Sequence, residues 1–391
     1  MDSTVFQRDN ITWLSYALIT FFAFFEASIG PVIPFIQEQL NLSHSIAGAH
    51  MSLFAVGIVF GSWASSILTR KHNRQRIIFV FLLLFSVSII SFTISLHFFI
   101  TLSASFFMGT FGAIIFAIAQ AVLSVNHGID TSTAITEANI FASIGTTMLP
   151  IIIGLAVYIG TTWRGAFYFS VFFFTSLSLF FFSRAPIPES RMQNINTTEE
   201  DRLPFLFWLI WVLLFMGVAI EWGIVFWAAN YMRLFLNIPT EQSSALMSML
   251  FFGMVFSRFI MSRLTRFFNT QPLLLAITLL TTIGLFLFWK PSIGIINIFG
   301  LFLTGAGIAN FYPLIISLGF TTVQANPDII SARLSSSVGA AIFSVPFLLG
   351  FIADLFNLQN AFLIIFFLLA IIFGFLILLI TLQRKKISCQ E

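Results

Sequence analysis

The chain has 391 residues, of which 58% are hydrophobic and only 8% are charged. Soluble domains carry about 25% charged residues, so this composition excludes a water-facing globular surface and predicts an integral membrane protein in contact with the lipid bilayer. The single cysteine, Cys389, excludes a disulfide framework and a thiolate metal site. We expect no metal and no cofactor. The net charge of +3 does not indicate nucleic-acid binding, because the basic residues cluster at the ends of apolar segments.

Apolar runs long enough to cross a bilayer recur along the chain. A helix needs about 20 apolar residues to span the hydrocarbon core, and its backbone polar groups must be satisfied internally. The first run has no cleavage site behind it and is predicted to be a retained helix. The sequence thus predicts an all-α membrane protein with twelve transmembrane helices, near 12–36, 46–68, 77–97, 99–122, 136–159, 165–183, 205–231, 242–262, 272–289, 293–318, 333–353 and 360–382.

The two halves of the chain resemble each other. Residues 40–73 match residues 236–269 without a gap at 13 of 34 positions, and the phrase LTRKHN at 68–73 returns as LTRFFN at 264–269. A polar segment, 184–204, lies between the halves. We therefore expect a six-helix bundle at 1–183, a cytoplasmic linker at 184–204, and a second bundle at 205–391. Internal repeats are a recurrent plan among transporters.

Basic residues fix the expected orientation. With both termini in the cytoplasm, fourteen of the 18 Lys and Arg residues face the cytoplasm, while only Arg164, Arg233 and Lys290 fall outside and Arg258 lies within a span. Cytoplasmic loops carry such an excess of positive charge. We expect a multi-pass protein of a bacterial inner membrane.

The loop after the second span carries a family motif. The major facilitator superfamily has a loop between helices 2 and 3 that reads roughly G-x-L-A-D-R-x-G-R-R, and the stretch from Gly61 to Arg76 resembles it. Asn73 takes the place of the turn glycine, and Arg70 stands where the family has its aspartate. The resemblance covers the whole chain. It implies two pseudo-symmetric six-helix bundles and transport by alternating access, with Arg70 and its counterpart Arg266 acting on conformation.

A second family motif is partial. The helix-5 antiporter motif, G-x-x-x-G-P-x-x-G-G, is matched by Gly145, Pro150 and Gly154, with Leu149 and Ile153 in place of two glycines. This resemblance favours efflux by proton antiport. The helix-4 arginine of many proton-coupled members is absent, since Ser105 stands at its position.

Charged side chains inside a span are expensive and are functional candidates by default. Glu26 lies halfway along the first span, and Glu221 lies at the matching depth of the seventh. A carboxylate in an apolar site takes up a proton more readily than one in water. The resemblance places both helices on the central cavity, so we expect Glu26 and Glu221 to carry the coupling proton and to contact substrate. A structural role for each carboxylate is the alternative.

Further candidates are ranked lower. Around the predicted cavity, hydrogen-bonding and aromatic side chains could contact a substrate, although ordinary packing is the alternative for each: Gln120, Trp222, Trp227, Asn230, Tyr231, Asn310 and Tyr312. Arg258 is expected either to snorkel toward the interface or to bond helix-end carbonyls. Glu137 and Arg333 occupy equivalent positions in the two halves and are expected at helix ends or in a gate.

The leading functional hypothesis is secondary active transport of a small organic molecule by a monomer. A facilitator or uniporter, or a proton symporter that imports a nutrient, remains open. No ATP-binding loop and no nucleophile–base or metal constellation lies in the spans, so an enzyme is not expected. A non-transporting receptor is less favoured, because little sequence lies outside the spans.

Overall fold

The computed structural model describes residues 7–184, 204–265, 267–290, 294–322 and 327–388. Within these ranges, twelve helical segments are long and apolar enough to cross a membrane by length and composition. The predicted all-α class with twelve spans is therefore confirmed. The predicted linker lies almost entirely outside the described residues, and so does Arg266.

Each helix of the first half begins one to five residues before its predicted apolar run, although three of the six end before that run does. Helix-capping residues explain one of these extensions, since the Asp9 side chain accepts a hydrogen bond of 2.8 Å from the Thr12 amide and starts the first helix. The observed helices are α1 (Asn10–Leu40), α2 (His44–Lys71), α3 (Arg74–Ile94), α4 (Phe98–His127), α5 (Thr131–Tyr158) and α6 (Trp163–Phe182).

The second half differs from the expectation at one place. The tenth span, predicted as a single helix at 293–318, consists of two helices that meet at Ala309 and Asn310. The helices of this half are α7 (Phe205–Phe235), α8 (Thr240–Leu264), α9 (Thr270–Trp289), α10 (Gly294–Ile308), α11 (Phe311–Thr322), α12 (Pro327–Phe356) and α13 (Leu358–Ser388).

The chain divides into two compact units. The first unit takes Met1–Leu42 and Ala49–Asn196, and the second takes Ser43–Gly48 and Thr197–Glu391. In the first unit α1 packs against α4, α5 and α6, and in the second α7 packs against α8, α11, α12 and α13. The first turn of α2 thus groups with the helices of the second unit.

The repeat seen in the sequence returns in helix packing. A Cβ atom on Gly57 of α2 would lie 2.2 Å from the carbonyl oxygen of Phe106 on α4. A Cβ atom on Gly253 of α8 would lie 2.2 Å from the carbonyl oxygen of Phe302 on α10. Each residue of the second pair stands 196 positions after its equivalent in the first. Small residues let helix backbones approach this closely in membranes, so the glycines are matched because the same crossing occurs in both units.

The turns that follow α1 and α7 are matched as well. Asn41 and Asn237, also 196 residues apart, take the left-handed backbone conformation with φ of 50° and 52°. Asparagine is the non-glycine residue that tolerates this conformation best. The same turn therefore ends the first helix of each half.

The glycine crossings give a stability prediction. Gly57→Val places a side chain against the Phe106 carbonyl and should lower the free energy of unfolding by about 2 kcal/mol or prevent folding. Thermal unfolding of the protein in detergent measures the change. Gly374→Val is the matched control, because a Cβ atom there meets open space. Equal melting temperatures for the two variants would contradict the close crossing.

Candidate functional site

The two intramembrane glutamates occupy the same position of two equal helices. Helices α1 and α7 each contain 31 residues. Glu26 stands sixteen residues after Asn10, and Glu221 stands sixteen residues after Phe205. Both side chains are half-buried. The two carboxylates, 195 residues apart in sequence, therefore stand at the same position of their helices.

Glu221 belongs to a polar cluster inside the second unit. Its carboxylate interacts electrostatically with the Arg258 guanidinium on α8 and with the Tyr312 phenol on α11. A carboxylate and a guanidinium stabilise each other's charge in a low-dielectric medium much more than they do in water.

The break in the tenth span lies beside this cluster. Pro313 has no amide hydrogen, so the carbonyl of Ala309, four residues earlier, loses its helical partner. The Arg258 Nε lies 3.5 Å from that carbonyl oxygen and donates to it. Next to it, the buried Asn310 donates a 2.7 Å hydrogen bond to the Ser257 hydroxyl. Arg258 of α8 thus bonds the carbonyl that the break leaves open, and the neighbouring Ser257 accepts from the Asn310 side chain.

Three of the predicted substrate contacts lie inside the packing of the second unit. Trp227, Asn230 and Tyr231 are fully buried. The Trp227 indole donates 2.9 Å to the Pro346 carbonyl, and the Tyr231 hydroxyl donates to the carbonyl of Trp289. These partners fix helix packing, so the polar atoms of these two residues are already engaged within the protein.

The remaining predicted contacts are more accessible. Trp222, next to Glu221 on α7, is half-buried, and Tyr312 at the start of α11 is 43% exposed. In the first unit Gln120 on α4 is half-buried, as Glu26 is. The cluster of the second unit therefore joins four of the sequence candidates, namely Glu221, Arg258, Asn310 and Tyr312.

Glu137 forms a clamp with the start of the chain. The Arg8 guanidinium binds its carboxylate in bidentate fashion, with Nε–Oε2 and Nη2–Oε1 distances of 2.8 and 2.6 Å. The Tyr16 hydroxyl donates to the same carboxylate at 2.9 Å. The hydrogen bond to Glu137 raises the pKa of Arg8 above its ordinary value. Bidentate pairs are the stronger kind of ion pair, so Glu137 ties α5 to α1 within the first unit.

A second polar group lies beside this clamp. Asp9 accepts hydrogen bonds from the Thr12 hydroxyl at 2.7 Å and from Asn126 at 3.1 Å, and the Thr12 hydroxyl also lies 2.7 Å from His127 Nε2. Burial opposes ionisation of Asp9, but its hydrogen bonds with Thr12 and Asn126 outweigh that effect and hold the pKa of the carboxyl below its ordinary value. The last turn of α4 is thereby fixed to the start of α1.

The other conformational candidates are exposed. Arg70 is in the last turn of α2, where a positive charge complements the helix dipole. Arg333 on α12 is also exposed, and its carbonyl accepts a 3.0 Å hydrogen bond from the Trp211 indole. Their predicted roles in gating stay predictions.

Sequence reasoning missed the role of Asp354, which lies near the end of α12. Its carboxylate accepts the backbone amides of His44 and Ser45 at 2.7 and 2.8 Å, and His44 Nδ1 lies 3.0 Å from the same group. These amides start α2, so a carboxylate from α12 caps that helix and complements its dipole. The only sequence signal is an acidic residue late in an apolar helix.

This contact is testable. Asp354→Asn removes the negative charge and one of the two acceptor oxygens, so the amides at 44–47 should exchange their hydrogens faster by about fivefold, as for a lost cap worth ~1 kcal/mol. Hydrogen exchange read by mass spectrometry of the α2 peptide measures this. Asp130→Asn, in the 3₁₀ turn Gly128–Asp130, is the control. Unchanged exchange in Asp354→Asn would refute the cap.

Comparison with known proteins places this geometry in a family. The model of the Major Facilitator Superfamily matches residues 16–332. "Protein TsgA homolog" of Buchnera aphidicola subsp. Acyrthosiphon pisum (strain Tuc7) is 20% identical over 345 residues, which cover 85% of this chain and 86% of that protein.

Solved structures of transporters share the fold. A mutant of the nucleoside transporter NupG superposes with a TM-score of 0.77 at 12% identity, over 94% of this chain and 99% of that one. The D-xylose-proton symporter gives 0.74 at 13% identity, over 94% and 96%.

The family match extends over most of the chain. The protein therefore belongs to the Major Facilitator Superfamily. It is a multi-pass integral membrane protein and a transporter rather than an enzyme.

Proposed function

We propose that the protein couples proton movement to the transport of a small organic molecule by alternating access, with the carboxylates of Glu26 and Glu221 as the proton-binding groups. The observation that carries this proposal is the placement of the two glutamates at the same position of two 31-residue helices. A carboxylate at mid-span is costly unless function or a partner retains it. Two at equivalent positions are harder to attribute to structure alone.

Glu221 is the stronger candidate, because its charge is linked to a helix break. While Glu221 is ionised, it attracts Arg258, and Arg258 also bonds the Ala309 carbonyl at the break. Protonation of Glu221 removes that attraction and leaves the guanidinium to the carbonyl and to any bound anion. Proton binding on α7 would thereby change the forces on the junction of α10 and α11.

The substrate class follows from the same cluster. A carboxylate, a guanidinium and a partly exposed phenol offer both charge signs and one aromatic face, which suits a polar molecule with a planar or hydroxylated part. The structural relatives include proteins whose names specify nucleoside and D-xylose–proton transport. We place nucleosides and sugars first in a ligand screen, followed by amino acids, peptides and cationic drugs.

The direction of transport is proposed as efflux, in exchange for protons. Gly145 and Pro150, which match the helix-5 antiporter motif, both lie in α5, where the glycine meets the Thr20 side chain of α1. A symporter and a facilitator are the competing modes. The cytoplasmic placement of both termini and the inner-membrane location are part of the same proposal.

A glutamate substitution tests the coupling. Glu221→Gln should still bind a hit from the ligand screen, because its shape and one hydrogen-bond acceptor remain. It should nevertheless lose uphill transport, together with the pH dependence of transport, because glutamine does not titrate. Proteoliposomes with an imposed pH gradient and the radiolabelled hit provide the measurement. Proton uptake or release on ligand addition, read with a pH indicator, should vanish as well.

A matched control separates coupling from general damage. Glu241→Gln changes another glutamate of the second unit, in the first turn of α8, and should transport as the unmodified protein does. Glu26→Gln is measured beside it. If Glu26→Gln and Glu221→Gln both drive accumulation with unchanged pH dependence, a facilitator with structural glutamates is the better description.

The link between Glu221 and Arg258 has its own test. If the two act as a unit, Glu221→Gln combined with Arg258→Gln should restore part of the thermal stability lost in either single variant, by about 0.5–3 kcal/mol of coupling. Differential scanning fluorimetry of the unmodified protein, the two single variants and the double variant gives the four stabilities of this double-mutant cycle. Additive losses would show that the two charges act independently.

A further inference from the structure

A cavity of about 530 Å³ lies inside the first unit, between α1, α5 and α6. Its volume is that of a ligand-sized site, for which the usual range is roughly 300–1,000 Å³. Its walls are almost entirely aromatic and aliphatic, and the hydroxyl of Tyr16 in the wall is engaged by Glu137. A water-soluble metabolite needs several placed polar groups, so this lining favours a hydrocarbon.

The cavity is elongated along the helices. At one end Trp13 on α1 lies with ring centroids 5.7 Å from Phe141 on α5 and 6.4 Å from Phe181 on α6. At the other end the lining includes Phe24 on α1 and Ile152 on α5. From Trp13 to Phe24 the helix rises by about 16 Å. That length is roughly half of the ~30 Å hydrocarbon core, the depth of a single leaflet.

The position of the cavity along the span matches this depth. Trp13 lies three residues after the start of α1, at the level where tryptophan and tyrosine mark the membrane–water interface. Phe24 lies near the middle of the 31-residue helix. The cavity therefore begins at the lipid headgroup level and ends near the bilayer midplane.

The gap between α5 and α6 leads from the cavity to the surface. Ile144 and Met148 on α5 are each 46% exposed, and Phe169 and Phe173 on α6 are 60% and 48% exposed. The α1 wall behind them is buried, as at Ala17. Since these residues lie within membrane spans, the opening admits an acyl chain sideways from the bilayer.

A positive charge lies at the interfacial end. Arg184 follows Phe181 by three residues at the end of α6, and its guanidinium carbon lies 3.8 Å from the centroid of the Phe180 ring. Arg8, near the same end, is neutralised by its ion pair with Glu137. A guanidinium is suited to bind a phosphate.

We propose that this cavity holds one acyl chain of an anionic phospholipid whose phosphate binds Arg184. Its length, apolar lining and sideways opening select a chain of one leaflet. The positive charge at its interfacial end favours a headgroup of net negative charge over a zwitterionic one, whose own cation offsets the charge of its phosphate. The lipid would fill the space among α1, α5 and α6 and stabilise the first unit.

Native mass spectrometry of the detergent-purified full chain tests the proposal, with equal amounts of phosphatidylglycerol and phosphatidylcholine added. The unmodified protein should retain one phosphatidylglycerol. Thr20→Phe, which places an aromatic ring in the cavity, should lose it, whereas Val87→Phe, on an exposed position of α3, should keep it. Arg184→Gln should reduce the preference for phosphatidylglycerol about fivefold, and Arg76→Gln should not.

A second measurement guards against misfolding of the cavity variant. In vesicles of phosphatidylcholine, increasing amounts of chain-brominated phosphatidylglycerol should quench the fluorescence contributed by Trp13, obtained as the difference from Trp13→Phe. Quenching should saturate at a low mole fraction of the brominated lipid. A linear rise would indicate ordinary bilayer contact and overturn the site. Retention of a non-lipid molecule, or of phosphatidylglycerol by a folded Thr20→Phe, would overturn it equally.

Discussion

The structure depends on one constraint: every polar group within a span must find a partner inside the protein, because the hydrocarbon offers none. The tenth span shows the consequence most clearly. Pro313 removes an amide from the helix, and Arg258 on a neighbouring helix donates to the carbonyl left behind. A residue needed to mend the backbone is then also the electrostatic partner of Glu221. The Arg258 side chain thus serves both as the hydrogen-bond donor to the Ala309 carbonyl and as the counter-charge of Glu221.

The same constraint explains where charges gather in the first unit. Arg8, Asp9 and Glu137 lie at one end of its helices, and their bonds run between elements distant in sequence, from the start of α1 to α5 and to the last turn of α4. The inner lengths of α1, α5 and α6 are joined instead by aromatic packing, in which Phe21 and Phe174 stack with centroids 5.4 Å apart. Hydrogen bonds and an ion pair thus join the helices of the first unit at one end, and aromatic side chains around the cavity pack between the helices within the span.

Much of this architecture was predictable from the sequence alone, because two features of the sequence recur along it. Long apolar runs predict the number of spans, and the 196-residue repeat indicates that Gly57 and Gly253 lie at equivalent helix crossings. The broken tenth span was not predicted. Pro313 was visible in the sequence, but the apolar run around it gave no sign that the helix would break there. The cap formed by Asp354 was missed for a different reason. Its partners, His44 and Ser45, lie more than 300 residues away, and no local pattern records such a contact.

The two halves of the chain differ around the break in the tenth span. Shifted by 196 residues, Pro313 corresponds to Ala117, Asn310 to Ile114, and Arg258 to Ser62. Helix α4 accordingly runs unbroken from Phe98 to His127. Glu26 and Glu221 are 195 residues apart and stand at the same position of two 31-residue helices, and Glu221 has Arg258 and a helix break beside it.

Neighbouring charges change the affinity of a carboxylate for a proton. The positions of the first half that correspond to Arg258, Asn310 and Pro313 hold Ser62, Ile114 and Ala117, so the repeat has diverged around Glu221. In the proton coupling that we propose, two carboxylates that titrate apart could load and release protons in sequence. The divergence of the repeat is therefore a reason to measure the two carboxylates separately.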